Sequence, residues 1–162
     1  MRTIGEVISN EGHVPVVHSD AQQRSNFLHQ AACDGHAPAM YEYALQCGNL
    51  QERRHWLQEA AAAGYVPAMY AFALECCDRQ QRHTWLRKAA KEKHLQAMHD
   101  VAAECPDLRE KRYWLRTAAA EGHVQAMYDL AMLCEHRGER EYWLREATRH
   151  GWHPALAELT GE

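Results

Sequence analysis

A chain of 162 residues has the length of one domain, and 46% apolar and 25% charged residues with nine Gly and five Pro describe an ordered protein, which excludes a disordered tail. The net charge of −4, with histidine neutral, gives no global attraction to nucleic acid or to an anionic membrane. No window approaches the roughly 18 apolar residues of a membrane span, and the opening MRTIGEVISNEGHVP lacks a continuous apolar run, so the chain reads as cytoplasmic, with neither nucleic acid nor membrane as partner.

Residues 1–19 stand apart as an N-terminal cap or arm. GHVP at 12–15 echoes GHAP at 35–38, as a decayed capping repeat would, whereas VPVV reads equally as an extended arm. Residues 20–162 then form a repeat array of five helical hairpins. Its clock is aromatic: Trp56, Trp85, Trp114 and Trp143 fall 29 residues apart, and Phe27 holds the same place one step earlier. The copies align without a single insertion, from FLHQAACDGHAPAMYEYALQC at 27 to WLRTAAAEGHVQAMYDLAMLC at 114 and the shortened WLREATRHGWHPALAELTGE at 143.

Each copy punctuates itself as two helices. First helices start near 20, 49, 78, 107 and 136, where Asp20, Asn49, Asp78 and Asp107 are good N-caps and His136 is a weak one. Gln23, Glu52, Gln81, Glu110 and Glu139 follow three residues later and predict reciprocal capping boxes. The aromatic-Leu-x-x-Ala-Ala run closes on Gly35, Gly64, Gly122 and Gly151, which suit a left-handed residue just past a helix end. Pro38, Pro67 and Pro154 follow three residues on, in the first turn of second helices that start near 37, 66, 95, 124 and 153.

At AAAEGHVQAMYDLA, residues 118–131, the unit resembles the Sel-one-like repeat, a relative of the tetratricopeptide repeat, with paired alanines, Gly-His, then Ala and an aromatic-x-Leu. The resemblance covers residues 27–162, and the unit lacks the glycine-rich loop usual after the second helix, which makes it several residues shorter. It implies an all-α fold, a right-handed α-solenoid serving as a protein-binding scaffold, whose first helices line a concave groove.

Helical spacing sorts the side chains. The aromatic, Leu and Ala-Ala positions of first helices make one buried stripe, and Ala126, Met127, Leu130, Ala131 and Cys134 make the stripe of a second helix. Cys47, Cys76, Cys105 and Cys134, each seven residues after a Met, are therefore expected in the core. Equivalent positions of stacked helices lie about 8–10 Å apart, too far for two thiolates to share a zinc, which needs under about 4.6 Å, or to form a disulfide. Cys33 falls on an outer arc and Cys77 at a helix end, where both are expected to be accessible. His36, His94 and His123 share a turn position held elsewhere by Tyr65 and Trp152, which favours an aromatic plug over a ligand.

No zinc-protease His-x-x-x-His, phosphate-binding loop, nucleophile elbow or Cys-x-x-Cys is present, so no catalytic residue, metal ligand or cofactor is assigned and the chain is not expected to be an enzyme. The outer arc of the first helices carries the candidate partner-binding residues His55, Arg87, Tyr113, Arg116, Tyr142 and Arg145, of the kinds enriched at interface hot spots. A second ladder, Arg24, Arg53, Arg82, Lys111 and Arg140, is expected to be structural, with its stems along the rings. Glu42, Glu75, Asp100, Glu104 and Asp129 predict an acidic back. The reading is a protein–protein scaffold or adaptor whose partner is an acidic segment or, by family analogy, a cognate effector met by a bacterial immunity or regulatory protein. The alternative is a soft-metal-binding or redox-responsive protein using Cys, Met and His.

Overall fold

The computed structural model describes residues 20–160, and the expected cap or arm at 1–19 lies outside them. Among the described residues ten α-helices follow one another: α1 Asp20–Cys33, α2 Ala37–Gln46, α3 Leu50–Ala62, α4 Val66–Glu75, α5 Arg79–Lys91, α6 Leu95–Glu104, α7 Leu108–Ala120, α8 Val124–Leu133, α9 Arg137–Arg149 and α10 Pro154–Thr160. Each helix packs mainly on its neighbours in the chain, the one-dimensional pattern of a solenoid. No helix among the described residues is long and apolar enough to cross a membrane.

The boundaries follow from local chemistry. Asn49, Asp78 and Asp107 each accept the backbone N–H two residues on, at 2.9 Å, and so cap α3, α5 and α7, whereas His136 makes no side-chain cap on α9. The reciprocal half of the capping box is not among the described bonds. Its carboxylates are engaged elsewhere: Glu52 accepts from Tyr43 Oη at 3.1 Å, and Glu110 and Glu139 bind arginines of the preceding repeat.

Between the two helices of a hairpin the backbone turns through a left-handed residue, Gly122 at φ +92° for example, with His123 N–H returning to Ala118 O at 2.9 Å. In the third repeat that residue is Lys93, at φ +63°.

Leu57, Leu86, Leu115 and Leu144, each following a tryptophan, are almost fully buried against the Ala-Ala pairs and against Phe72, Val101 and Leu130 of the second helices. The aromatic stripe is graded: Trp114 is 8% exposed, Trp56, Trp85 and Trp143 are half-buried, and Phe27 is 72% exposed. Trp56 packs edge-on to Tyr43 at 5.7 Å and Trp85 edge-on to Phe72 at 5.5 Å, so each ring rests on the second helix of the preceding repeat. Phe27 has no preceding repeat among the described residues.

The cysteine ladder caps the C-terminal ends of α2, α4, α6 and α8 in extended conformation. Cys76 and Cys105 are buried while Cys47 and Cys134 are half-buried, and Cys33 and Cys77 are exposed.

Candidate partner-binding face

The first helices present the six candidate residues in register. Tyr113 and Tyr142 stand out at 62% and 53% exposure. Each ring is braced edge-on by its neighbour, Tyr113 on Trp114 at 5.3 Å and Tyr142 on Trp143 at 5.0 Å, and the exposed His55 ring leans on Trp56 at 5.4 Å. In the third repeat Thr84 holds the equivalent position and turns its hydroxyl back to Gln80 O at 2.8 Å.

The arginines of this face are ion-paired. Arg87 on α5 reaches Glu110 on α7, Arg116 on α7 reaches Glu139 on α9 at 2.6 Å, and Arg145 pairs within α9 with Glu141 at 2.8 Å. The first two bridge successive repeats, which makes them ties in the array as well as surface charge. Arg137 and Arg145 both grip Glu141 and hold its carboxyl below the usual range.

A shallow depression of about 580 Å³ lies along α7 and brings Tyr113 and Arg116 together with Arg109, Arg112 and Thr117. His55, Arg87, Tyr142 and Arg145 lie on the same series of helices outside it. Arg109 and Arg112 are the residues that sequence reasoning missed. Arg112 donates to Leu133 O at 2.7 Å and to Glu135 at 3.2 Å, while no ion pair engages Arg109 among the described residues.

The second basic ladder works through ion pairs rather than through ring stacking. Arg53, Arg82 and Arg140 meet Glu75, Glu104 and Glu158 on the second helix of their own hairpin. The cation–ring contacts belong to other residues: Lys88 Nζ sits 3.9 Å from the Trp85 ring centre, and the Arg54 guanidinium 5.8 Å from that of Phe72.

Two members of the expected acidic back turn into the seam between second helices. Tyr70 Oη donates to Asp100 at 3.0 Å, and His99 Nε2 lies 2.7 Å from Asp129, with its Nδ1 3.7 Å from Asp100. His99 is only 8% exposed. The Asp100 and Asp129 carboxylates overcome burial and push it up to about 9. Burial alone would raise Asp100, but its contact with His99 and hydrogen bonds from Gln96 and Tyr70 hold it below its ordinary value. Burial and the bond to Asp100 drive Tyr70 up to about 12. The signal for this seam lies in the alignment: His99 replaces the tyrosine of Tyr41, Tyr70 and Tyr128.

Burial pushes the Cys47, Cys76, Cys105 and Cys134 thiols up, away from the thiolate that metal binding or redox chemistry uses. Among the described residues, no group of three or more His, Cys, Asp and Glu side chains converges to hold a metal ion.

No protein-family model and no curated protein matches the chain. Solved structures do. A Sel1 repeat protein from Oxalobacter formigenes superposes with a TM-score of 0.71 at 19% identity over 85% of this chain and 66% of that one. The protein c5321, a protective antigen of uropathogenic Escherichia coli with an SLR fold, gives 0.74 at 20% identity over 85% of this chain and 35% of its own. The chain thus spans under two thirds of either neighbour's length, and the likeness is one of fold: this is the α-solenoid of the Sel1-like repeat.

Proposed function

We propose that the chain is a non-catalytic protein-interaction scaffold that captures a protein partner in the concave groove lined by its first helices, through His55, Arg87, Tyr113, Arg116, Tyr142 and Arg145. The supporting observation is the pair of exposed tyrosines 29 positions apart, each braced on a tryptophan, with an arginine three residues on. A braced aromatic ring offers contact area at little entropic cost, and arginine adds a planar donor, which is why both dominate interface hot spots.

The partner is an acidic segment of another protein. Along α7, Arg109, Arg112 and Arg116 line the depression: Arg112 and Arg116 hold the solvent-accessible partners Glu135 and Glu139, which an incoming carboxylate can replace, and no ion pair engages Arg109 among the described residues. A cognate effector, with this chain as its immunity protein, is the other occupant that the test identifies.

The test places a photo-crosslinking residue at Tyr113 or Tyr142, with Gln125 on α8 as control, in cells of the source organism. A single protein trapped from the tyrosine positions and absent from the control is expected. Its sequence then says whether an acidic segment or a folded effector is bound. Equal trapping from Gln125, or none from either tyrosine, removes this face from consideration.

A further inference from the structure

Two second helices are capped by imidazole. His94 Nδ1 accepts the Ala97 N–H at 3.2 Å at the start of α6, and His123 Nδ1 accepts the Ala126 N–H at 3.2 Å at the start of α8. At the corresponding position of α2 and α4, His36 and Tyr65 make no side-chain cap, and there Pro38 and Pro67 already fix the first turn. In the third and fourth repeats the proline is replaced by Gln96 and Gln125, and the histidine supplies what proline supplied elsewhere.

An acceptor at Nδ1 fixes the tautomer. A neutral ring that accepts at Nδ1 carries its proton on Nε2, and His123 Nε2 donates to Gln96 Oε1 at 3.2 Å, whose amide in turn donates to Asp100 at 3.0 Å. The cap lone pair is thus the only site left for a second proton. A protonated ring cannot accept from the helix and sets a positive charge against the positive end of the helix dipole.

Every group around the two rings bears on the same step. Tyr70 of α4 stacks on His94 at 4.5 Å, and His99 of α6 stacks on His123 at 5.1 Å. Asp100 and Asp129 stand behind His99. In the adjoining turns Lys93 and Glu121 pair with each other, and Lys91 and Glu92, at the end of α5, are exposed. His99, held by Asp100 and Asp129, is already protonated, so a proton on His123 creates two stacked imidazolium rings.

We propose that His94 and His123 are proton-operated N-caps: a proton on Nδ1 releases the first turn of α6 or α8 and, through the His99 stack, loosens the seam between the third and fourth repeats. The sign follows from the neighbours. Burial lowers His94 against the pull of Asp100, and burial with the charge on His99 lowers His123. A histidine depressed in the folded state stabilises it fully above the unfolded value of about 6.5, and that stability is lost as pH falls toward the folded value. Mild acid is therefore the trigger, and the joint lies between Arg87 and Arg116 on the opposite layer of helices.

The experiment is an NMR titration of the full chain, with labelled imidazole nitrogens and backbone amides, from about pH 7.5 to about pH 5. His94 and His123 are expected as Nε2–H tautomers that titrate below about 6.5, with the Ala97 and Ala126 amides shifting at the same midpoints. Exchange protection of those two amides should fall about fivefold as the caps open, the change of a lost N-cap. Nδ1–H tautomers, or amides that stay still while the rings titrate, overturn the proposal. The His94→Asn/His123→Asn double variant keeps a side-chain acceptor that does not titrate, and its acid loss of stability should be shallower than that of the parent. An equally steep loss overturns it too, and if the variant does not fold the titration of the parent chain decides alone.

Discussion

Arg116 on α7 and Glu139 on α9 lie 2.6 Å apart, so a residue read from the sequence as a partner contact is also a tie between the fourth and fifth repeats. The two uses differ in size. With side chains 62% and 37% exposed, the pair is screened by water, and a double-mutant cycle on Arg116→Ala and Glu139→Ala should return a coupling of about 0.2–1 kcal/mol. Partner affinity lost on Arg116→Ala well beyond that coupling belongs to the interface. A coupling above about 2 kcal/mol shows instead that the arginine is chiefly structural.

The tryptophan stripe predicts a gradient. Trp114→Ala removes a ring that is 8% exposed and should cost about 3–5 kcal/mol in denaturant unfolding. Phe27→Ala, at the same repeat position but 72% exposed, should cost under about 1 kcal/mol. Equal costs would mean that something covers Phe27 in solution.

The 29-residue clock made the helices, their order and the core legible, because a periodic chain shows each packing position five times. What stayed hidden was pairing across copies. Nothing in the spacing of Glu110 or Glu139 distinguishes a capping carboxylate from one that reaches a preceding helix, since both uses need the residue at the third helical position. Arg109 and Arg112 went unnoticed for a related reason: no ladder repeats them, and only the shape of α7's surface gathers them beside Tyr113. His99 was legible as a break in a tyrosine column, but its buried charge depends on Asp129, thirty residues away and read as solvent-facing.

Among the described residues, Lys93 marks the one turn where an L-residue with a Cβ holds the left-handed position, at φ +63°. That conformation costs about 1–2 kcal/mol for a residue with a Cβ. Lys93→Gly gives up an exposed ion pair to Glu121 of little worth, and also pays in backbone entropy. A net gain of about 0.5–1 kcal/mol is expected in chemical denaturation; a loss of stability would assign the lysine a role beyond the turn.

His99 sets an alkaline limit on the same seam. Its folded value of about 9 lies above the unfolded one, so its contribution is complete below about 6.5 and disappears as pH rises through about 9. With Asp129 40% exposed, the amount is on the order of 2 kcal/mol. His99→Tyr, which restores the residue of the other copies, should flatten the fall in melting temperature between those two values. A parent protein whose stability is level across that window contradicts a charged His99.

The cysteines supply the test that separates packing from a redox or metal role. Attack on a disulfide reagent needs both access and thiolate. Cys33 and Cys77 are exposed and should react first under native conditions, and the half-buried Cys47 and Cys134 should follow. Cys76 and Cys105, at 7% and 6% exposure and with thiols pushed up by burial, should react only as fast as the solenoid opens, so their rates should rise with denaturant in step with unfolding. If Cys76 and Cys105 react as quickly as Cys33 in native buffer, the ladder is not closed by packing, and the redox reading gains what the scaffold reading loses.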